Sequence, residues 1–137
     1  MIFGIGSDLV EVARIETSYR RFGRHFVERL LMPQELARFE QLPAREARIV
    51  RFLSQRFAAK EAIVKALGTG FAHGLWIRDV GIVQNAWGRP EPIFSARGAE
   101  VAATLGAGTG HVTLTDEGGF VMAVAVLEKA VQRAGTA

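Results

Sequence analysis

The chain has no cysteine, which excludes disulfides and thiolate metal sites and is compatible with a reducing compartment. No stretch approaches the roughly 18 consecutive apolar residues that a membrane-spanning helix needs. The opening "MIFGIGSDLV" carries no basic run ahead of its apolar residues and reaches an acid at Asp8, so it makes a poor secretory signal. A cytoplasmic protein with no membrane contact is the expectation. The three histidines, His25, His73 and His111, do not have the spacing of metal ligands. No P-loop, serine nucleophile elbow or zinc box occurs. "GIGSD" falls short of a dinucleotide fingerprint, because Leu9 stands where that motif needs a third glycine. Nor does any repeat, low-complexity tract or long linker divide the chain. The expected organisation is one domain over residues 1–130 with a frayed tail at 131–137.

What is present suits a folded core: 49% of the residues are hydrophobic and 9% aromatic. The net charge of +3 is unevenly placed. Residues 1–60 hold 11 Lys/Arg against 7 Asp/Glu, whereas residues 61–137 hold 6 against 7. Ten of the eleven basic residues in the first part are arginine. That excess suggests an acidic partner: a protein, a phosphorylated ligand or nucleic acid.

The pattern predicts α+β. "MIFGIGSDL" begins as a short strand that turns at Gly6-Ser7. "EVARIETSYRRFGRHFVERLL" reads as helix broken at Gly23, and Pro33 suits the first turn of the next helix. A long helix follows from about Pro43 to Leu67, stopped by Gly68 and Gly70. "LWIRDVGIVQNAWGRPEPIF" reads as strand, turn, strand, with the turn at Trp87-Gly88-Arg89-Pro90. A short helix closed by Gly106 precedes a hairpin, "HVTLT", "DEGG", "FVMAVAVLE". Its last strand is apolar on both faces, as a central strand is.

Three groups of residues carry possible chemistry, each with a bland alternative. Asp8, following two glycines, either caps the next helix or ligates a metal. Glu61 and Lys65 have the spacing of a surface helix pair worth roughly 0.3–0.5 kcal/mol. Yet Phe57 shares their face, and Ala58, Ala59 and Ala62 allow close packing, so a carboxylate there would want a cation, with Asp8 as co-ligand. Arg14, Arg20, Arg21, Arg24 and Arg29 could be a solvated face or an anion-binding one, arginine favouring the latter through its bidentate fork. Glu11 and Glu16 among them argue against nucleic acid. Trp76 and Trp87 are expected to pack rather than stack on bases.

Together, "GIGSDLVEVARIE" and "FAAKEAIVKALGTG", with "WGRP" and "HVTLTDE" after them, resemble the holo-[acyl-carrier-protein] synthase family of small bacterial 4′-phosphopantetheinyl transferases. The resemblance covers most of the chain. It implies a long helix packed on an antiparallel sheet, trimeric assembly with active sites between subunits, and transfer of 4′-phosphopantetheine from coenzyme A to a serine of apo acyl carrier protein. Adenosine 3′,5′-bisphosphate would be released, in the service of fatty acid biosynthesis. Mg²⁺ would be held by Asp8 and Glu61. Glu61, or a water that Asp8 or Glu61 orients, would take the serine proton, and Lys65 would stabilise or protonate the leaving phosphate. Arg56, Lys60, Lys65 and the turn Gly88-Arg89-Pro90 would bind coenzyme A, Arg89 replacing a family lysine. The acidic carrier protein would meet Arg14, Arg21, Arg24 and Arg29, with Phe26 as apolar anchor. Where many relatives end the "HVTLT" strand in histidine this chain has Asp116, to which no phosphate contact is assigned; His111 is no substitute by position. Two rivals remain: a basic, non-enzymatic binding module, and a Mg²⁺-dependent phosphoryl-ester hydrolase using the same carboxylates.

Overall fold

In the computed structural model, which describes residues 1–131, the N-terminal strand is longer than its sequence suggests. β1 runs Ile2–Glu11 without turning at Gly6-Ser7. The glycines serve another purpose. A Cβ on Gly4 would stand 2.0 Å from the Ala66 carbonyl oxygen, and one on Gly6 the same distance from that of Ala62. They let a helix backbone lie directly on the strand, and only glycine allows that approach.

That helix is α4, Glu46–Leu67, which follows α1 (Val12–Phe22), α2 (Arg24–Leu30) and α3 (Pro33–Phe39). The break at Gly23, the start at Pro33 and the stop at Gly68 fall where the sequence puts them. The start of α4 falls at Glu46 rather than Pro43. After a 3₁₀ turn at Ile77–Asp79 come β2 (Val80–Gln84) and β3 (Pro90–Phe94), a two-stranded antiparallel ribbon. α5 (Ala96–Leu105) then leads into the hairpin of β4 (Ala107–Glu117) and β5 (Phe120–Lys129). The main sheet has the order β1-β5-β4, all antiparallel, and puts the doubly apolar β5 in the centre as expected. The fold is α+β, an antiparallel sheet with helices packed on it.

α4 covers one face of this sheet and forms the core with it. Val121, Ala123, Ala125 and Leu127 of β5 are fully buried there, beside Ala58, Ala59, Ala62, Ile63 and Val64. Small residues on both sides let the two backbones approach, which gains dispersion contacts over a wide area. Between Ala58 and Leu67 every residue is buried except Glu61 and Lys65. A helix enclosed on nearly all sides has no broad polar stripe. The two polar residues it does show are therefore singled out by the fold. The opposite face of the sheet leaves Ile5, Leu9, Phe120 and Met122 exposed. The tail expected from residue 131 lies, beyond Val131, outside the described residues.

Candidate active site

Asp8 sits within β1 on the side facing α4, its side chain 16% exposed. It does not cap α1; Glu11 holds the N-cap position, without a side-chain bond. Lys65 reaches from α4 across to β1, where its Nζ donates to the Ser7 carbonyl at 3.0 Å and to Asp8 Oδ1 at 3.2 Å. The surface pair with Glu61 that the spacing allows is not the one formed; Lys65 pairs with Asp8 instead. Glu61 is half-buried beside them. Its carboxyl is pushed up from the usual carboxylate range, first by burial and then by the Asp8 charge, against the pull of Lys65.

Asp8 and Glu61 line one cavity of about 380 Å³, with Arg14, Ser18, Phe26 and Phe57 around them. Glu11 is also in the wall, so three carboxylates face the Arg14 guanidinium and the Lys65 ammonium, and the site carries excess negative charge that a divalent cation would relieve. Among the described residues no group of three or more His, Cys, Asp or Glu side chains is placed to hold a metal ion together. The protein can thus offer two hard oxygen ligands and leave the remaining positions to water and substrate oxygens. That donor set fits Mg²⁺.

Lys60 corrects the reading of the sequence. It is fully buried, not part of a phosphate-binding surface. Its Nζ donates to Glu35 Oε1 at 2.5 Å and to the Val80 carbonyl at 2.6 Å. Burial holds the ammonium below the usual lysine range, although Glu35 opposes that. Glu35 is also fully buried and accepts from the Met32 and Ile82 backbone N–H groups. This network pins α3, α4 and β2 together. The sequence offered one faint signal for it, a glutamate at the third position of a Pro33-led helix, which is a capping position.

Arg56 lies on the face of α4 away from Glu61. It is 2% exposed, its guanidinium lies 3.7 Å from the Phe52 ring centroid, and its Nε has no hydrogen-bond partner. Burial lowers it to about 10, so it remains charged at neutral pH. With Arg38, Arg48 and Arg51 it lines a cavity of about 410 Å³ whose wall also includes Gln55 and Gln84. Asp116 stands at this cluster. Its carboxylate accepts from Arg51 at 2.9 Å and Gln55 at 3.3 Å, which occupies it within the chain. Arg38, Arg48 and Arg51 were missed from sequence; the three-residue step from Arg48 to Arg51 was the available clue to a shared helix face.

Gly88 and Arg89 lie in the β2–β3 turn and Pro90 begins β3, in a third place. Arg89 and Pro90 line a cleft with His111, and the Arg89 Nη2 lies 3.5 Å from His111 Nδ1. His111 Nε2 is in turn 3.0 Å from Glu128. The two tryptophans do not pack as expected: Trp76 is 69% and Trp87 93% exposed. Among the basic residues of α1 and α2, Arg14, Arg21 and Arg29 are exposed and make no ion pair among the described residues. Arg24 is already held by Glu28 and Glu40, and Arg20 by Glu16 and Glu46. Phe26 is partly buried and borders both the Asp8–Glu61 cavity and an adjoining apolar groove with Phe22, Arg29, Phe57 and Ile77.

Known proteins match this chain over nearly its whole length. Residues 4–125 match the family model ACPS, described as the 4′-phosphopantetheinyl transferase superfamily. The holo-[acyl-carrier-protein] synthase of Halorhodospira halophila is 42% identical over 127 residues, 93% of this chain and 98% of that protein. The crystal structure of holo-[acyl-carrier-protein] synthase from Neisseria meningitidis superposes with a TM-score of 0.85 at 37% identity, covering 94% of this chain and 100% of that one. A Bacillus anthracis holo-(acyl-carrier-protein) synthase in complex with CoA (3′,5′-ADP) superposes with a TM-score of 0.76 at 32% identity, over 95% of this chain and 99% of that one. The chain therefore belongs to the 4′-phosphopantetheinyl transferase superfamily, as an enzyme of the holo-[acyl-carrier-protein] synthase family.

Proposed function

We propose that this enzyme transfers 4′-phosphopantetheine from coenzyme A to a serine of apo acyl carrier protein, releases adenosine 3′,5′-bisphosphate, and does so with Mg²⁺. The observation that carries this reading is that the otherwise enclosed second half of α4 exposes only Glu61 and Lys65, both beside Asp8. In the reaction the serine Oγ bonds to the phosphorus that bears pantetheine, and the bond from that phosphorus to the bridging oxygen breaks. Asp8 and Glu61 would hold the cation, whose charge would offset that growing on the pyrophosphate oxygens. Glu61, or a water that Asp8 or Glu61 orients, would accept the serine proton. An ammonium has three donors, and Lys65 uses two on Ser7 and Asp8. The third is free for the leaving phosphate.

The residues assigned to coenzyme A favour a site shared between chains. At 3.6 residues per turn, Arg48, Arg51 and Gln55 lie roughly opposite Phe57 and Glu61 on α4. A coenzyme A molecule reaching both cavities of one chain would have to pass around a helix that is buried. Two chains placed side by side remove the difficulty, with one supplying Asp8, Glu61 and Lys65 and its neighbour the arginine cavity or the Arg89 turn. The exposed apolar face of Ile5, Leu9, Phe120 and Met122 is suited to such packing, and we assign it to a homotrimer. Arg14, Arg21 and Arg29, with Phe26 lining the Asp8–Glu61 cavity, would steer and seat the acidic carrier protein. The protein would act in the cytoplasm, in fatty acid biosynthesis, as one domain over residues 1–130.

Intact-mass spectrometry of apo acyl carrier protein incubated with this enzyme, coenzyme A and Mg²⁺ tests the reading. The expected result is a gain of one phosphopantetheine that is abolished by chelation and by Glu61→Gln. Consumption of coenzyme A without any gain on the carrier would identify a hydrolase instead. If several carrier proteins and the cofactor alike stay unchanged, the transferase reading fails.

A further inference from the structure

The sequence led us to expect a packed Trp87, and the structure leaves it almost wholly in water. Its position gives that exposure a use. Trp87 stands at the tip of the β2–β3 turn, and hydrogen bonds within the chain brace that turn. Asn85 Oδ1 accepts from the backbone N–H groups of Trp87 at 2.9 Å and Arg89 at 3.0 Å. The Asn85 Nδ2 donates to Glu91 at 3.0 Å, and the Gly88 N–H donates to the Asn85 carbonyl at 2.9 Å. Gly88 supplies the positive φ, +81°, that closes the turn. A large aromatic held out on a fixed support binds at lower entropic cost than one that must first be ordered.

Two cationic features flank it. Arg89, two residues on, carries a guanidinium at the surface. Gln84, three residues back, forms part of the wall of the cavity lined by Arg38, Arg48, Arg51 and Arg56, and three residues span at most about 11 Å of chain. In that cavity the Nε of the 2%-exposed Arg56 is still without a partner. Arginines that suit a phosphate, with an exposed indole next to them, match a nucleotide in its two parts: charge for the phosphate and a π face for the base. Trp76 is also exposed, yet the arginine cavity does not border it.

We propose that Trp87 is the stacking platform for the purine of the nucleotide end of coenzyme A, a specificity-determining contact that deepens and rests on the transferase reading above. The test uses the full-length protein carrying Trp76→Phe, so that Trp87 is the sole indole emitter. Adenosine 3′,5′-bisphosphate and coenzyme A should each quench its emission saturably, whereas 4′-phosphopantetheine, which has no purine, should not. In steady-state assays Trp87→Ala should raise the KM for coenzyme A about tenfold, the loss expected when about 1.4 kcal/mol of base stacking is removed. It should leave kcat and the KM for carrier protein near those of the parent, and Trp87→Phe should recover most of the affinity.

The proposal is overturned if the nucleotides leave Trp87 emission unchanged, if phosphopantetheine quenches it equally, or if emission follows protein concentration rather than nucleotide. A parental KM for coenzyme A in Trp87→Ala would overturn it too, while leaving the transferase reading intact. Quenching by the bisphosphate without any transfer to carrier protein would do the reverse, because the binding measurement needs no turnover.

Discussion

Replacing Glu35 by glutamine changes one atom and removes one charge from the middle of the fold. The parental carboxylate accepts from Lys60 and Met32 on Oε1 and from the Ile82 N–H on Oε2, all fully buried. A glutamine amide can keep its oxygen toward Lys60 and Met32 only by turning its NH₂ toward the Ile82 N–H, donor against donor. It also leaves the Lys60 ammonium in a dry site with neutral acceptors. Breaking one side of a buried ion pair costs about 3–5 kcal/mol. For 137 residues at about 2.1 cal/mol/K each, that lowers the melting temperature by roughly 10–17 °C. The loss should also depend on pH. Burial already holds Lys60 below its usual range, and Glu35 is the largest influence opposing it. Without that charge the folded-state value falls further below the unfolded one, so the folded protein binds fewer protons and stability rises with pH. Thermal melts followed by circular dichroism from pH 7 to pH 10, each compared with the parent at the same pH, should show the deficit shrinking as pH rises. A loss below about 1 kcal/mol would refute the argument, since it would mean that the pair is hydrated and not the dry pair described. A deficit that widens with pH would refute the assignment of the proton linkage to Lys60.

Gly6→Ala should be among the most damaging small substitutions, because the new Cβ would lie 2.0 Å from the Ala62 carbonyl oxygen and 2.9 Å from the Lys65 Cβ. About 3 kcal/mol of lost stability and a large fall in transfer activity are expected, and a parental melt would contradict the close contact of α4 with β1. Glu61→Gln should behave oppositely in metal-free protein. Because the folded-state value of Glu61 is raised, ionising it costs stability as pH climbs through that value, so the neutral variant should melt higher at pH 7. The gain should vanish as pH falls below the ordinary carboxylate range and reverse when Mg²⁺ is added; equal melts at pH 7 would count against the crowding of Asp8 and Glu61. Leu9→Asp, on the exposed apolar face, should shift sedimentation from a trimer to a monomer and reduce transfer with it; a parent that sediments as a monomer would overturn the proposed assembly.

How much of this could be read from the chain depended on the range of the interaction. Helix ends were legible because their causes are local: Gly23, Pro33 and Gly68 act on their own backbone, and the structure puts breaks at each. The central place of β5, paired on both edges, was legible in its doubly apolar pattern, although α4 covers only one of its faces within the chain. The two glycines of β1 were misread because a tight turn and a close approach select the same residue, and nothing nearby in sequence says which. The same limit governs the helix that carries the chemistry. Lys60, Glu61 and Lys65 look alike as polar residues among alanines, yet one ends at a buried glutamate and two beside Asp8. One residue along α4 is a rotation of about 100°, enough to move a side chain from the β1 side to the side facing α3 and β2. In an amphipathic helix the apolar stripe would reveal that rotation. α4 is enclosed nearly all round, so its own pattern could not distinguish the two directions. What did distinguish them was spatial: Gly4 and Gly6 fix which side of α4 meets β1, and Asp8, two residues further along the same face of that strand, thereby comes to face Lys65 and Glu61 rather than Lys60.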